Sequence, residues 1–488
     1  MTAILVVDVG TSGLRACVVN ESLDVEVVEY RAFPPLTPTP GLVEFDAAAM
    51  ADHFLEVARN AADRAGRPID CVGITNQRAS VVVWDRSTGA PIAPGIGWQD
   101  LRTVGECIVA KAEHGWSLAP NQSVTKVASI LDNVDGARER DLCVGTVDSW
   151  VAWNLGGGLH VTDHTNASAT LTGMRLVDGS GWNASILDAF GIPEEFLPTV
   201  VDTIGVCGTA DALPGSPPIA SIIGDQQGSL VGQGCVRPGQ TKITFGTGGM
   251  LDVRADVEPP ATANRHESGT YPLPVWSQHG ELSYGVEAIL LSAGTNVEWL
   301  CEDMGLIDTV AESHDVAALC EDAGGVVYVP ALLGLGTPQW DYGARGTLLG
   351  LTRGSEREHV VRAVLEGVAH RGADLVDAAA AHTGLPIDIL RVDGGMSRNP
   401  TFVQAVADAT GRRVEVAPVV ESTTVGAAFL AGLATGTWSD VADVDRLWRP
   451  LTVAEPRNGY DRAAARTTWA DALGRAGGWL PDLSALDF

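Results

Sequence analysis

Leu5-Val6-Val7-Asp8-Val9-Gly10-Thr11-Ser12-Gly13-Leu14-Arg15-Ala16-Cys17-Val18-Val19 reads as strand, tight turn, strand. Two apolar, β-branched runs flank a turn whose glycines permit a sharp reversal. Backbone N–H groups around such a turn can surround a phosphate, and Thr11 and Ser12 add hydroxyl donors. Asp8, at the tip of the first strand, is placed to hold a hydrated Mg2+. One Gly-rich turn is usually only a turn, but this unit recurs. Thr241-Lys242-Ile243-Thr244-Phe245 enters Gly246-Thr247-Gly248-Gly249 and leaves as Met250-Leu251-Asp252-Val253. The copies lie close to half the chain apart, which predicts two similar halves, each opening with a phosphate-gripping hairpin. A nucleotide held between them would sit in an interdomain cleft.

Composition agrees with two large domains. A chain of 488 residues is too long for one core, and 45% hydrophobic residues supply ample interior. No apolar run is long enough to span a membrane, and the N-terminus has no basic region of a signal peptide. The eight cysteines are scattered singly without a C-x-x-C pair, which argues against zinc and disulfides and fits a reducing cytoplasm. A formal charge of −29 disfavours nucleic acid and anionic membranes as partners. It does not exclude ATP, whose site can be built from backbone N–H groups, a few side chains and a metal.

Near the middle of the chain Ile219-Ala220-Ser221-Ile222-Ile223 empties into Gly224-Asp225-Gln226-Gln227-Gly228. A buried strand whose tip opens at glycine is where open α/β sheets bind ligands. Asp225 can take a proton, the amides can orient hydroxyls, and the glycines let a ligand approach the backbone. The plain alternative is an aspartate that caps a helix from Gln227 onward. A second tip, Gly73-Ile74 into Thr75-Asn76-Gln77-Arg78, precedes Trp98-Gln99-Asp100-Leu101-Arg102. Arg78 could donate to hydroxyl oxygens while the indole of Trp98 covers a carbon skeleton; a surface Arg and a core Trp are the alternative. Helices are expected over residues 47–65 and 356–382, and a strand over Ile389–Val392 feeding Asp393-Gly394-Gly395 ahead of a helix at Pro400. Glu421-Ser422-Thr423-Thr424-Val425-Gly426-Ala427-Ala428 opens a small-residue helix suited to tight packing. Residues 160–173 read as polar loop.

Together these motifs resemble the FGGY family of carbohydrate kinases, whose domains resemble those of actin and hexokinase. The matching stretches are Asp8-x-Gly10-Thr11-Ser12 with Arg15, Gly73 through Arg78, Trp98-x-Asp100-x-Arg102, and Gly224-Asp225-Gln226-Gln227. Gly246-Thr247-Gly248, Leu335-Gly336-Thr337-Pro338-x-Trp340-Asp341, Asp393-Gly394-Gly395 with Asn399, and Gly426-Ala427-Ala428 follow in order. The glycerol kinase branch is the nearest likeness. The resemblance implies an α/β fold of two actin-like, ribonuclease H-like domains, residues 1–233 and 234–488, around an interdomain cleft. It implies ATP contacts at Thr11, Ser12, Gly13, Arg15, Gly246, Thr247, Gly294, Glu298, Gly394, Gly395 and Asn399. Substrate contacts fall on Arg78, Trp98, Asp225 and Gln226, with Asp225 as catalytic base and Asp8 and Asp225 anchoring Mg2+ through water.

Two positions depart from the glycerol kinase pattern. Ala79 stands where those enzymes carry Glu, and Asn121 stands near where they carry Tyr. Both residues are smaller, so the pocket is expected to hold glycerol poorly and to have room for more. The activity implied is ATP-dependent phosphorylation of a hydroxyl on a small polyol or sugar, by a cytoplasmic enzyme for which a homodimer is an open arrangement. One alternative is a pentulose kinase, distinguished by the pocket around Ala79, Asn121 and Leu291. Another is an actin-like ATPase switch, which needs no small-substrate pocket at Arg78 and Trp98.

Overall fold

The computed structural model describes residues 2–169, 178–256, 265–418 and 421–486. Strands Ile4–Val9 and Gly13–Val19 pair antiparallel with Asp8 opposite Arg15, and Gly10 N donates to Gly13 O at 3.0 Å to close the turn. Cys71–Asn76 lies parallel to the first strand, with Thr75 level with Asp8. Pro218–Gly224 is parallel to Cys71–Asn76 in turn, with Gly224 level with Asn76. Three parallel strands therefore end side by side, at Val9, Asn76 and Gly224, and present their carboxyl ends to one crevice.

The second hairpin repeats the plan. Thr241–Phe245 and Gly249–Arg254 are antiparallel, and Ile389–Asp393 runs parallel to the former with Asp393 level with Thr244. Ile204 and Gln278 pair where the two sets of strands meet, giving a continuous run of 13 strands. Twisted open sheets rarely exceed about 10 strands without splitting, and here the run is two sheets meeting at a narrow seam.

Helix Ala47–Arg64 starts at Asp46, whose side chain accepts from Ala49 N, and buries Met50, Phe54, Val57 and Ala61 as one stripe on the first sheet. Helix Arg357–Thr383 covers the second sheet with Val361, Val364, Leu365, Val368 and Leu375. Both agree with the sequence reading to within a residue or two.

Helix Ser422–Ala434 belongs to the second half of the chain but packs on the first sheet, where Ala427, Phe429 and Leu430 share a core with Ile4, Val6 and Cys71. Its contact with helix Asp225–Gly232 is backbone to backbone. A β-carbon at Gly426 would fall on the Gly228 carbonyl oxygen, and one at Gly232 on that of Ser422. The small-residue composition is therefore a packing requirement.

Residues 160–169 are not loop. Val161–Asp163 is a strand and His164–Ala169 a helix; positions 170–173 lie outside the described residues. The side chains of Asp163, Thr165 and Asn166 are buried and bond to one another and to neighbouring strands. Asp163 Oδ1 accepts from Thr165 Oγ1 at 2.9 Å and from Asn166 N at 2.9 Å, and its Oδ2 accepts from Thr203 Oγ1 at 2.7 Å. Polarity that resembles exposure in a sequence is here a buried hydrogen-bond network. Among the described residues no helix is long and apolar enough to cross a membrane.

Candidate active site

That buried network pins the central strand tip. Gly224 N donates to Thr165 Oγ1 at 2.9 Å, and Asn76 Nδ2 donates to Asn166 Oδ1 at 2.9 Å. The helix that follows begins at Asp225 itself, with Gly224 as its N-cap, so Asp225 is not a capping side chain. Its Oδ1 accepts from Gln226 N at 2.8 Å and lies 3.5 Å from Arg78 Nε, and about a third of the side chain (32%) is open to solvent. Burial of the neighbourhood raises the pKa of the Asp225 carboxyl, and the Arg78 guanidinium partly offsets that rise. The result is a carboxylate with a reachable face and above-normal basicity.

Arg78 reaches across to the second half of the chain, where its Nη2 donates to Glu287 Oε2 at 2.5 Å. The next residue, Ala79, is 7% exposed and has φ +66, a left-handed conformation. Its carbonyl accepts from Ser123 Oγ at 3.3 Å, which brings the turn containing Asn121 alongside. Asn121 is exposed, and its carbonyl accepts from Lys126 Nζ at 3.0 Å. Burial pulls the Lys126 ammonium down to about 7. Trp98 is 38% exposed, and its Nε1 donates to Thr11 Oγ1 at 3.1 Å, so the indole ties the loop after Arg78 to the first hairpin.

Gln226 is held from the other half. Lys242 Nζ donates to Gln226 Oε1 at 2.7 Å and is itself 2.7 Å from Asp252 Oδ2. Asp252 sits opposite Lys242 on one side of its strand and opposite Glu287 on the other. Lys242 and Asp252 enter the sequence reading only as members of the second hairpin, and Glu287 not at all; none is read there as part of the site. The available signal was a charged residue in each of three otherwise buried strands, a pattern that occurs where charges are paired.

At the first hairpin Asp8 is 6% exposed, with its Oδ2 3.0 Å from Arg15 Nη1 and 3.4 Å from Thr424 Oγ1. Burial pushes its carboxyl up to about 6 despite the opposing pull of Arg15, and the charge of Asp225 adds to the rise. Ser12 is exposed at the turn, while a β-carbon at Gly13 would run into the Tyr30 ring. Around the second turn Gly294 N donates to Gly246 O and Ala293 N to Thr247 O, each at 2.8 Å. A β-carbon at Gly294 would lie 2.7 Å from Gly246 O. Glu298 is exposed in the first turn of helix Thr295–Glu302. Gly394, at φ +87, lies so close to the Phe245 carbonyl that a β-carbon would collide with it, and Gly395 borders open space. Asn399 caps helix Pro400–Thr410 through Phe402 N at 3.0 Å and donates to Ser313 Oγ at 3.0 Å, so its amide also has a structural task.

On the first hairpin, contacts thus join Asp8 to Arg15 and Thr11 to Trp98, and Arg78, Asp225 and Gln226 form a separate group. Gly246, Thr247, Gly294 and Gly394 gather around the second hairpin. Among the described residues no side-chain hydrogen bond or ion pair ties Ser12, Asn121 or Glu298 to another of these positions. A separate cavity of about 560 Å³ lies between helices Arg357–Thr383 and Pro400–Thr410. Its charges pair with each other, Arg362 with Glu366 and Arg457 with Asp408, which makes it a poor rival.

The chain matches the models for the FGGY family of carbohydrate kinases, the N-terminal domain over residues 3–232 and the C-terminal domain over residues 241–435. It is 40% identical to the glycerol kinase of Rhodopirellula baltica, covering 99% of this chain and 93% of that protein. It is 39% identical to glycerol kinase 2 of Thermotoga maritima, covering 98% and 99%. The crystal structure of Plasmodium falciparum glycerol kinase with ADP superposes with a TM-score of 0.90 at 28% identity, covering 98% of both chains. The ligand-bound xylulose kinase of Lactobacillus acidophilus shares the fold, with a TM-score of 0.85 at 19% identity over 100% of this chain and 99% of that one. With both halves matched, the chain belongs to the FGGY family of carbohydrate kinases.

Proposed function

We propose that this chain is a polyol or sugar kinase in which Asp225 is the general base. The observation that supports this most is the placement of Asp225, a reachable carboxylate at a strand tip, beside Arg78 and between two phosphate-type hairpins. A substrate hydroxyl hydrogen-bonded to Asp225 gives up its proton as its oxygen bonds to the γ-phosphorus of ATP and the bond to the ADP oxygen breaks. Arg78, Trp98 and Gln226 orient the carbon chain, with Ala79 and Asn121 on the pocket wall. Thr11, Ser12, Gly13 and Arg15 on one hairpin and Gly246 and Thr247 on the other surround the phosphates. Gly294, Glu298, Gly394, Gly395 and Asn399 border the nucleoside. Positioning supplies most of the acceleration.

The residues present fit Mg2+. The charge of Asp225 reaches Asp8 and adds to the rise of its pKa, and both carboxyls are raised by burial, as expected of acidic groups built to face a cation. Among the described residues no three His, Cys, Asp or Glu are grouped as a cage, so the ion would be held by these two and by phosphate oxygens. When bound, it neutralises charge on the transferring phosphoryl group. The division into units at residues 233 and 234 and a cytoplasmic location belong to the same proposal, which leaves the oligomeric state open.

The test is a panel of three- to five-carbon polyols and ketoses assayed for ADP release. Substrate-dependent ADP formation supports the reading. ATP turnover indifferent to every polyol and ketose would favour an ATPase switch.

A further inference from the structure

The bond from Lys242 to Gln226 decides what kind of oxygen the pocket takes. An ammonium has only donors, so the atom of Gln226 that faces Lys242 must be the amide oxygen. Lys242 is fully buried and is clamped by the equally buried Asp252 at 2.7 Å, with Thr244 Oγ1 accepting at 3.2 Å. Rotating the amide would press an NH2 group against a buried ammonium, leaving both donors unmatched. Gln226 is half-buried, and among the described residues no hydrogen bond takes its Nε2. Its NH2 is therefore the end available to a ligand.

The rest of the pocket shares this bias. Arg78 has donors only, and one carboxylate oxygen of Glu287 is already engaged by it. Ala79 offers no side-chain acceptor. Asp225 accepts the proton of the reacting hydroxyl under the reading above. A second hydroxyl could accept from Gln226 but would have to place its own proton without a matching carboxylate at position 79. A carbonyl oxygen accepts and has no proton to place.

We infer that Lys242 and Asp252 are positioning residues that fix Gln226 as a hydrogen-bond donor, and that the substrate is a short ketose whose carbonyl oxygen accepts from it. This rests on the kinase reading above and names its substrate class.

The experiment compares kcat/KM for matched pairs differing only in the C2 oxygen: dihydroxyacetone with glycerol, erythrulose with erythritol, xylulose with xylitol. The wild-type chain should favour the ketose by about tenfold or more in its best pair, since a polar mismatch discriminates strongly. Gln226→Glu keeps an oxygen toward Lys242 but presents an acceptor to the ligand, and should reverse the preference. The double variant Lys242→Met with Asp252→Leu removes the clamp without leaving a lone buried charge. Its ketose preference should shrink to within about threefold of unity through KM, with kcat less affected, as expected for lost ground-state binding. Equal or better use of the polyol in every pair by wild type overturns the inference. So does an unchanged preference in Gln226→Glu, or in a double variant that still binds ATP. Turnover of no member of any pair fails the kinase reading itself.

Discussion

Arg78 Nη2 and Glu287 Oε2, 209 residues apart in sequence, meet at 2.5 Å across the boundary between the halves of the chain. Both side chains are nearly buried, at 11% and 8% exposure. Burial alone would lower the guanidinium's pKa, but Glu287, Asp225 and Asp252 overcome that and hold Arg78 charged, while Glu287 is raised by burial. The pair therefore ties the strand tip that carries Arg78 to a strand in the second half of the chain.

Glu287→Gln should uncover that coupling. Removing one partner of a buried ion pair costs about 3–5 kcal/mol, so the thermal midpoint should fall and the substrate KM rise. An unchanged midpoint together with an unchanged KM would show that the pair does neither task.

Asp225→Asn should abolish phosphoryl transfer and leave nucleotide binding nearly intact. General-base help is worth roughly 10²–10⁴ in rate. Retention of more than about a tenth of wild-type turnover would remove Asp225 from that role. Nucleotide affinity, measured by calorimetry, separates loss of chemistry from loss of fold.

Asp8 gives a pH dependence whose sign follows from its burial. Its carboxyl is raised from the ordinary 3.8 to about 6, so the folded state binds this proton more tightly than the unfolded one. Its contribution to stability is greatest below pH 3.8, declines across the interval, and is lost as pH passes the folded value near 6. The cost above that value is about 3 kcal/mol. Asp8→Asn should therefore raise the melting midpoint at pH 8 and leave it little changed at pH 4. It should also weaken MgATP binding, and a midpoint equally raised at both pH values would exclude the titration argument.

Position 79 tests the pocket from the other side. Ala79→Glu should improve glycerol turnover relative to a longer substrate by about tenfold, since 1.4 kcal/mol is tenfold. The left-handed backbone at φ +66 already strains Ala79, so the change adds little further backbone cost. If wild type prefers glycerol in kcat/KM, the enlarged-pocket reading fails.

The helix contact behind Asp225 should be intolerant of even one methyl group. Gly426→Ala would place a β-carbon on the Gly228 carbonyl, and overpacking of this kind costs typically about 1–3 kcal/mol. Both the melting midpoint and turnover should drop, because the displaced helix is the one that begins at Asp225. Wild-type values for both would show that the backbones separate without consequence.

Much of this protein was legible in its sequence. The repeated Gly-Thr hairpins, the long helices and the strand tips at Arg78 and Asp225 are set by local chemistry. Glycine allows the reversals, apolar periodicity selects strand or helix, and polar residues after an apolar run mark an open tip. Such signals span a few to a few tens of residues, and the chain carries them intact. Only the tertiary structure decided which charges meet. Glu287, Lys242 and Asp252 lie on strands whose pairing is fixed by sheet register, and nothing local to them names Arg78 or Gln226 as partners. Residues 160–169 read as loop because their polar groups have no visible partners in sequence; Thr203, Asn76 and Gly224 supply them. A buried polar group is intelligible only with its partner, and here the partners are brought together by contacts between segments far apart in the chain.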